Sequence, residues 1–320
     1  MSRATPAILS ADSLPAERLR TRQNAWKARL ELAKPGITRM VTITAIGGFA
    51  LRAATDATAP ATAYILPLIG CALGVALASA GGNALNMWLE AALDKKMART
   101  ADRPIPSGRL SANAAFWFGA WTTLIGSAIV ALTGNATAGA LTLISAALYV
   151  LIYTPLKTKT PWSTLVGAVP GALPPLIGAA AASDSFAGYS VLIDPIGVAL
   201  FGLMMVWQLP HFMAIAMMYR DDYAAAGMKM LPVLESEAAP RTRFVTRVTA
   251  IMLIPASAWP AFATDLLGWP YAAIAIVSSI AFAVLAFRST EPRRVFLASI
   301  AHLPILMLAM VAESALRFLL

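Results

Sequence analysis

Apolar residues along this chain gather in long runs with no charge inside them. Leu110–Leu156 holds 47 consecutive uncharged residues, room for two membrane-spanning helices at ~20 residues each. Ala57–Leu89, Pro195–Tyr219 and Leu266–Phe287 are uncharged as well. These runs have helix length and lack the alternation, about ten residues per strand, of an outer-membrane barrel. The pattern predicts an all-α polytopic membrane protein with nine spans. They fall near residues 36–54, 63–91, 112–132, 138–154, 164–182, 195–219, 244–263, 269–287 and 296–316. The first has a short clean core, because Arg39 and Arg52 bracket it. Pro170, Pro174 and Pro175 are expected to kink the fifth, a device that membranes tolerate. Phe116, Trp117, Phe118 and Trp121 at one end of the third read as an interfacial aromatic belt.

Composition narrows the class further. The 320 residues are 58% hydrophobic and 13% charged, with a mean hydropathy of +0.68. A soluble domain is about a quarter charged, so soluble, disordered and fibrous classes are excluded. The single Cys71 makes no intrachain disulfide and reads as a small buried hydrophobe. With two histidines it makes no ordinary zinc site either.

A net charge of +9 would suit nucleic acid, but its placement points to topology. Sorted by loop, 23 of the 25 Lys and Arg residues fall on one side, leaving Arg52 and Arg317 on the other. The positive-inside rule then puts the N-terminus in the cytoplasm and the C-terminus outside. No nucleic-acid partner is expected. Residues 1–35 read as a cytoplasmic basic arm with a short amphipathic helix, and 36–320 as the membrane domain. No signal peptide precedes the first span. Asp12, Glu17 and Glu31 in the short arm favour a bacterial cytoplasmic membrane over a mitochondrial transit peptide.

Two inner loops, after the second and sixth spans, are long and chemically dense. Four helices separate them, which hints at a repeat of four-helix units and would set both loops over the mouth of one bundle. Asn86, Glu90 and Asp94 lie at i, i+4 and i+8, so a helix lines them up on one face. Three oxygen-bearing side chains in a row suit a hard cation such as Mg²⁺, which is held by one or two carboxylates plus substrate phosphates. Lys95, Lys96, Arg99 and Arg103 follow at once. Acids beside bases at a membrane surface match a diphosphate–Mg²⁺ complex. A juxtamembrane helix with ion pairs is the plainer alternative.

The longer string decides between them. Asn86-x₃-Glu90-x₃-Asp94, then Met97-x-Arg99-Thr100-x-x-Arg103-Pro104, resembles the first motif of the protohaem IX farnesyltransferase (haem O synthase) family of UbiA-type intramembrane prenyltransferases. Trp207-Gln208-x-Pro210-His211, Tyr219-Arg220-Asp221-Asp222-Tyr223, Lys229 and Pro232 resemble the second. Tyr153-Thr154-Pro155-Leu156-Lys157 and the run from Gly167 to Pro175 match too. The likeness covers roughly residues 30–310. Two features depart from the pattern. Glu90 stands where many members have Asp, which keeps the carboxylate. Tyr219 and Tyr223 flank the second acids where quinone-pathway relatives carry more carboxylates.

The resemblance implies a nine-helix bundle around a central cavity. It implies transfer of a farnesyl group from farnesyl diphosphate to the 2-vinyl group of haem B, with hydroxyl addition, giving haem O. Asn86, Glu90, Asp94 and Asp222 would hold Mg²⁺, with Asp221 the weaker ligand. Lys95, Arg99, Arg103, Lys157 and Lys229 would bind the diphosphate, and Tyr219 would join the catalytic set. Trp207 and Tyr223 would contact substrate, and His211 and His302 are the candidate haem contacts. The lipid bilayer, and haem A synthase or oxidase-assembly proteins, are the implied partners. The rivals are a quinone- or chlorophyll-pathway aromatic prenyltransferase, a secondary transporter, and a scaffold with an anionic-lipid patch. A transporter would place polar groups near the midplane, whereas these acids cluster at helix ends.

Overall fold

A computed structural model describes residues 26–56, 59–183 and 188–319. Most of the basic arm, residues 1–25, and Leu320 lie outside the described residues. All regular structure among the described residues is helical. A short helix over 26–32 (α1) leads through Lys34 into α2 (Pro35–Ala54). Then come α3 (Ile65–Asp94), α4 (Ala112–Thr133), α5 (Ala136–Ala147) and α6 (Ser163–Ala181). They are followed by α7 (Pro195–Met218), the short α8 (Arg220–Ala225), α9 (Pro240–Ala258), α10 (Trp269–Arg288) and α11 (Pro292–Leu319). A π-helical turn, Leu148–Tyr153, prolongs α5 into Thr154–Leu156. Eight helices are long and apolar enough to cross a membrane. The 20-residue α2, with Arg39 and Arg52 inside it, completes nine spans among the described residues.

Local sequence sets the helix starts. Pro35, Pro195, Pro240 and Pro292 each open a helix, where the missing N–H has no intrahelical acceptor to lose. Ser111, Asn135 and Asp194 cap α4, α5 and α7 by accepting from Ala114, Ala138 and Gly197 backbone N–H groups.

Between spans, small residues allow close backbones. A Cβ added at Gly74 on α3 would stand 2.6 Å from the Gly126 carbonyl oxygen on α4, so only glycine permits this crossing. One core, from α7, α9, α10 and α11, joins Leu203, Leu253, Tyr271, Phe282 and Leu306. A second, from α2, α3, α5 and α6, joins Phe49, Cys71, Leu173 and Ile177. The buried Cys71 fits its reading as a packing residue. Large apolar side chains such as Leu132, Val277 and Leu308 face outward, the arrangement a lipid surround stabilises. Trp117 and Trp121 are exposed and stacked, 6.3 Å between centroids, as a belt requires.

α6 is the most buried of the eight apolar spans, and it carries the three prolines expected to kink it. The helix is continuous through Pro170, Pro174 and Pro175. Pro174 has no N–H for the Pro170 carbonyl four residues earlier; Ser145 Oγ on α5 donates there instead, at 3.1 Å. A neighbouring helix thus replaces the lost bond. A large cavity lies against Pro175, between α2, α6, α7 and α11. It measures about 600 Å³ and is lined by Ile43, Leu51, Pro175, Leu203, Leu303 and Met310 among others. On the side where α3 and α7 end, Met97, Ala216, Ala226, Met228 and Met230 form a small core with Leu93, Tyr223 and Val233. It clamps the two dense loops together over one mouth.

Candidate active site

α3 runs on to Asp94, and its last three turns present the aligned acids. Asn86, Glu90 and Asp94 are buried, 1%, 4% and 0% exposed. A buried carboxylate demands a partner, and each has one from another segment. Lys157, just past the end of α5, places Nζ 2.7 Å from Glu90 Oε1. Arg103 Nη1 donates to both Asp94 oxygens at 2.8 and 2.9 Å. Thr100 Oγ1 donates to the Asp94 carbonyl at 2.9 Å, which folds the loop back over the helix end.

The second loop closes the ring. Asp222 lies in the first turn of α8, 3.9 Å from Arg99 Nε. The Arg99 guanidinium sits 4.6 Å over the Tyr219 ring, a cation–π contact. α8 ends in a Schellman turn: Met228 N–H donates to Tyr223 O and Gly227 N–H to Ala224 O, both at 2.9 Å. Gly227 takes the required left-handed conformation at φ 72°. The turn delivers Lys229, whose N–H donates to the Lys157 carbonyl at 2.7 Å, so the two halves are joined beside Glu90. Tyr223 packs into the methionine core, and burial pushes its hydroxyl above the ordinary range.

Three residues enter the site that carried no assigned role in the sequence. Lys34 Nζ donates to Asn86 Oδ1 at 2.8 Å. Its backbone is left-handed, φ 45° and ψ 68°, costly for a side chain with a Cβ and typical of functional positions. Burial first, then Arg103 and Lys157, pulls its ammonium down to about 7. Thr154 accepts from Asn86 Nδ2 at 3.0 Å and donates to the Tyr149 carbonyl at 2.8 Å. Tyr149 stacks on Tyr153. Lys34 precedes a proline and had counted only toward topology; the Tyr-x₃-Tyr-x₃-Lys spacing on α5 was the available signal for Tyr149.

The remaining candidates stand apart from this ring. Lys95, Asp221 and the Lys229 side chain are exposed. Trp207 Nε1 donates to the Ser299 carbonyl at 2.9 Å, and His211 Nδ1 lies 2.8 Å from Ser299 Oγ. The His211 ring is half-buried between Trp207 and Phe296, with centroids at 5.0 and 5.1 Å. His302 is buried among α9, α10 and α11, near Ser257 and Ser279 hydroxyls at 3.3 and 3.5 Å. That places it in the wall of the bundle, and its ring nitrogen is occupied by packing partners.

Among the described residues no three His, Cys, Asp or Glu side chains stand close enough to hold a metal by themselves. The donor set is an amide and two carboxylates on one helix face, opposite cations. That fits Mg²⁺ shared with a phosphate ligand, which supplies the missing oxygens; it does not fit a closed structural site.

The chain is similar to known proteins over most of its length. Residues 41–305 match the model of the UbiA prenyltransferase family. A protoheme IX farnesyltransferase of Anaeromyxobacter sp. (strain Fw109-5) is 37% identical over 290 residues, 89% of this chain and 92% of the relative. A solved digeranylgeranylglyceryl phosphate synthase superposes with a TM-score of 0.70 at 18% identity, covering 91% of this chain and 98% of its own. A UbiA homologue from Archaeoglobus fulgidus, solved with DMAPP and Mg²⁺, superposes with a TM-score of 0.62 at 14% identity, covering 90% and 99%. With a nine-span helical bundle, paired acids at one mouth and this match over most of its length, the chain belongs to the UbiA prenyltransferase family.

Proposed function

We propose that the protein transfers the farnesyl group of farnesyl diphosphate to the 2-vinyl group of haem B, giving haem O. The observation that carries this is the ring of ion pairs at the mouth: Glu90–Lys157, Asp94–Arg103 and Asp222–Arg99. The name of the Anaeromyxobacter relative supports the acceptor and the chain transferred.

Mg²⁺, held by Asn86, Glu90, Asp94 and Asp222 with Asp221 beside it, would supply charge neutralisation at the leaving diphosphate. Lys157, Arg103, Arg99 and Lys34 are placed to turn from their present partners to phosphate oxygens, with Lys95 and Lys229 at the rim. As the C1–O bond breaks, its electron pair leaves with the diphosphate. The vinyl π pair bonds to C1, and the carbocation left beside the pyrrole takes up water and releases a proton. Preorganised cations where negative charge develops favour the first step. The apolar bundle keeps water from the allylic cation until the vinyl group reaches it. Trp207 and the half-buried His211 are the haem-facing candidates; His302 packs against Ser257 and Ser279 instead.

Orientation follows from the charge partition. The N-terminus and the basic arm, residues 1–35, lie in the cytoplasm of a bacterial cell, and the C-terminus lies outside the cytoplasmic membrane. Haem A synthase or an oxidase-assembly protein would take up the product.

The test is purified protein in lipid nanodiscs with farnesyl diphosphate, haem B and Mg²⁺, the pigment being analysed by mass spectrometry. Formation of haem O is expected. Prenylation of a quinone precursor with haem B left unchanged would overturn the acceptor.

A further inference from the structure

Arg99, Arg103 and Lys157 at the mouth are each answered by a carboxylate. A second group of arginines, on the same side of the bundle but away from the mouth, is not. Arg241, Arg243 and Arg247 lie in the first eight residues of α9. Arg288 ends α10, and Arg293 and Arg294 open α11. Arg294 meets Glu291 at 2.9 Å. The other five pair with no carboxylate among the described residues.

Contacts across helices bring the group together. Arg243 Nε donates to the Ala238 carbonyl at 2.9 Å and its Nη2 to the Thr290 carbonyl at 3.2 Å. Arg247 Nη2 donates to the Phe287 carbonyl at 3.4 Å, and its guanidinium stands 5.4 Å over the Phe287 ring. Neutral carbonyls thus fix these two side chains in place without cancelling their charge. The positive-inside bias is satisfied by charge anywhere in such loops; it does not call for three segments to converge.

Below the arginines the surface turns apolar. Phe244, Val248 and Ile251 on α9 are exposed, as are Ile280, Val284 and Phe287 on α10. Spacings of four and three keep each set on one helix face. Arg247, lying over Phe287, joins the two faces at their charged end. A phosphate headgroup above acyl chains presents the complementary order of charge and apolar surface.

We propose that this patch binds one anionic phospholipid, from the leaflet on the side of the diphosphate site. Its phosphate meets Arg247, Arg288 and Arg293, and its chains lie along α9 and α10. Guanidinium groups suit phosphate because they offer paired N–H donors in a fixed plane. A zwitterionic headgroup brings its own cation and gains less from five uncompensated arginines. The bound lipid ties α9, α10 and α11 together at an edge where carboxylates do not.

The experiment titrates the full chain, purified in detergent, with dioleoylphosphatidylglycerol or dioleoylphosphatidylcholine, which share acyl chains and differ in headgroup. Native mass spectrometry counts the retained lipids, and thermal melts report stabilisation. One phosphatidylglycerol should be retained and raise the melting temperature; phosphatidylcholine should do neither. The side chains of Arg288 and Arg293 make no hydrogen bond or ion pair among the described residues. Arg288→Gln/Arg293→Gln should therefore keep the parental melt without lipid. It should bind phosphatidylglycerol about tenfold or more weakly, at about fivefold per arginine near an anionic surface. Lys27→Gln/Lys159→Gln removes the same charge from exposed positions elsewhere on that side, and should bind as the parent does. Equal loss in the two double variants would overturn the proposal, as would equal retention of the two lipids. A melt raised as far by glycerol phosphate would overturn it too, making the patch a site for a soluble phosphate.

Discussion

Lys157 Nζ stands 2.7 Å from Glu90 Oε1, an ion pair that joins the end of α3 to the turn after α5, with both side chains largely buried. Removing one partner of a buried pair strands the other, at a cost of about 3–5 kcal/mol. Lys157→Met should therefore lower the melting temperature sharply. Adding Glu90→Gln should recover most of the stability and none of the turnover, since the charges are needed for substrate. Thermal melts beside turnover assays separate the two effects; recovery of activity in the double variant would contradict this role.

Thr154 couples α3 to the π-helical turn by accepting from Asn86 and donating to the Tyr149 carbonyl. Thr154→Val keeps the shape and loses both bonds, each worth about 1 kcal/mol. The variant should remain folded, with a raised KM for farnesyl diphosphate and a broader response to Mg²⁺ concentration. Unchanged KM and Mg²⁺ response would reduce Thr154 to a packing residue.

The two histidines should separate cleanly. His302 is enclosed by Ser257, Ser279 and Phe282, so His302→Gln should leave haem affinity intact. His211 is half-buried between Trp207 and Phe296, so His211→Ala should weaken haem binding and spare diphosphate affinity. Absorbance titration with haem and competition with a diphosphate analogue read the two independently. Haem loss in His302→Gln alone would reverse the assignment.

The charge partition, with 23 of 25 basic residues on one side, predicts the topology. A reporter fused after Leu320 should read as external, and one inserted at Ala238–Pro240 as cytoplasmic. A cytoplasmic reading after Leu320 would contradict the orientation.

Much of this was legible because membranes write their demands into composition. Uncharged runs gave the spans, and the i, i+4, i+8 spacing of Asn86, Glu90 and Asp94 gave the site face. Other features depend on contacts between distant segments. Lys34 enters the site through a left-handed backbone that no local pattern announces. The Pro170 carbonyl, which Pro174 cannot serve, takes its hydrogen bond from Ser145 on α5, a partner that no local pattern reveals. Lys95 and Asp221 are exposed beside the buried Asp94 and the partly buried Asp222, a difference that sequence adjacency does not announce. The Arg103–Asp94 and Lys157–Glu90 pairings required the fold, since Arg103 has Glu90, Asp94 and Asp102 close by in sequence and Lys157 has no acid between Asp102 and Asp184.

The central claim is that these paired acids and bases hold the Mg²⁺–diphosphate end of the prenyl substrate. Arg99, Arg103 and Lys157 are each answered by a carboxylate, so metal and diphosphate should bind together and each should bind poorly alone. Calorimetry with a non-ionisable farnesyl diphosphate analogue, with and without Mg²⁺, measures that coupling directly. The parent protein should gain about tenfold or more in affinity with Mg²⁺, within the usual range of coupling between sites. Asp94→Asn, folded by its thermal melt, should lose that gain. An Asp94→Asn protein that keeps the full Mg²⁺-dependent affinity would contradict the account.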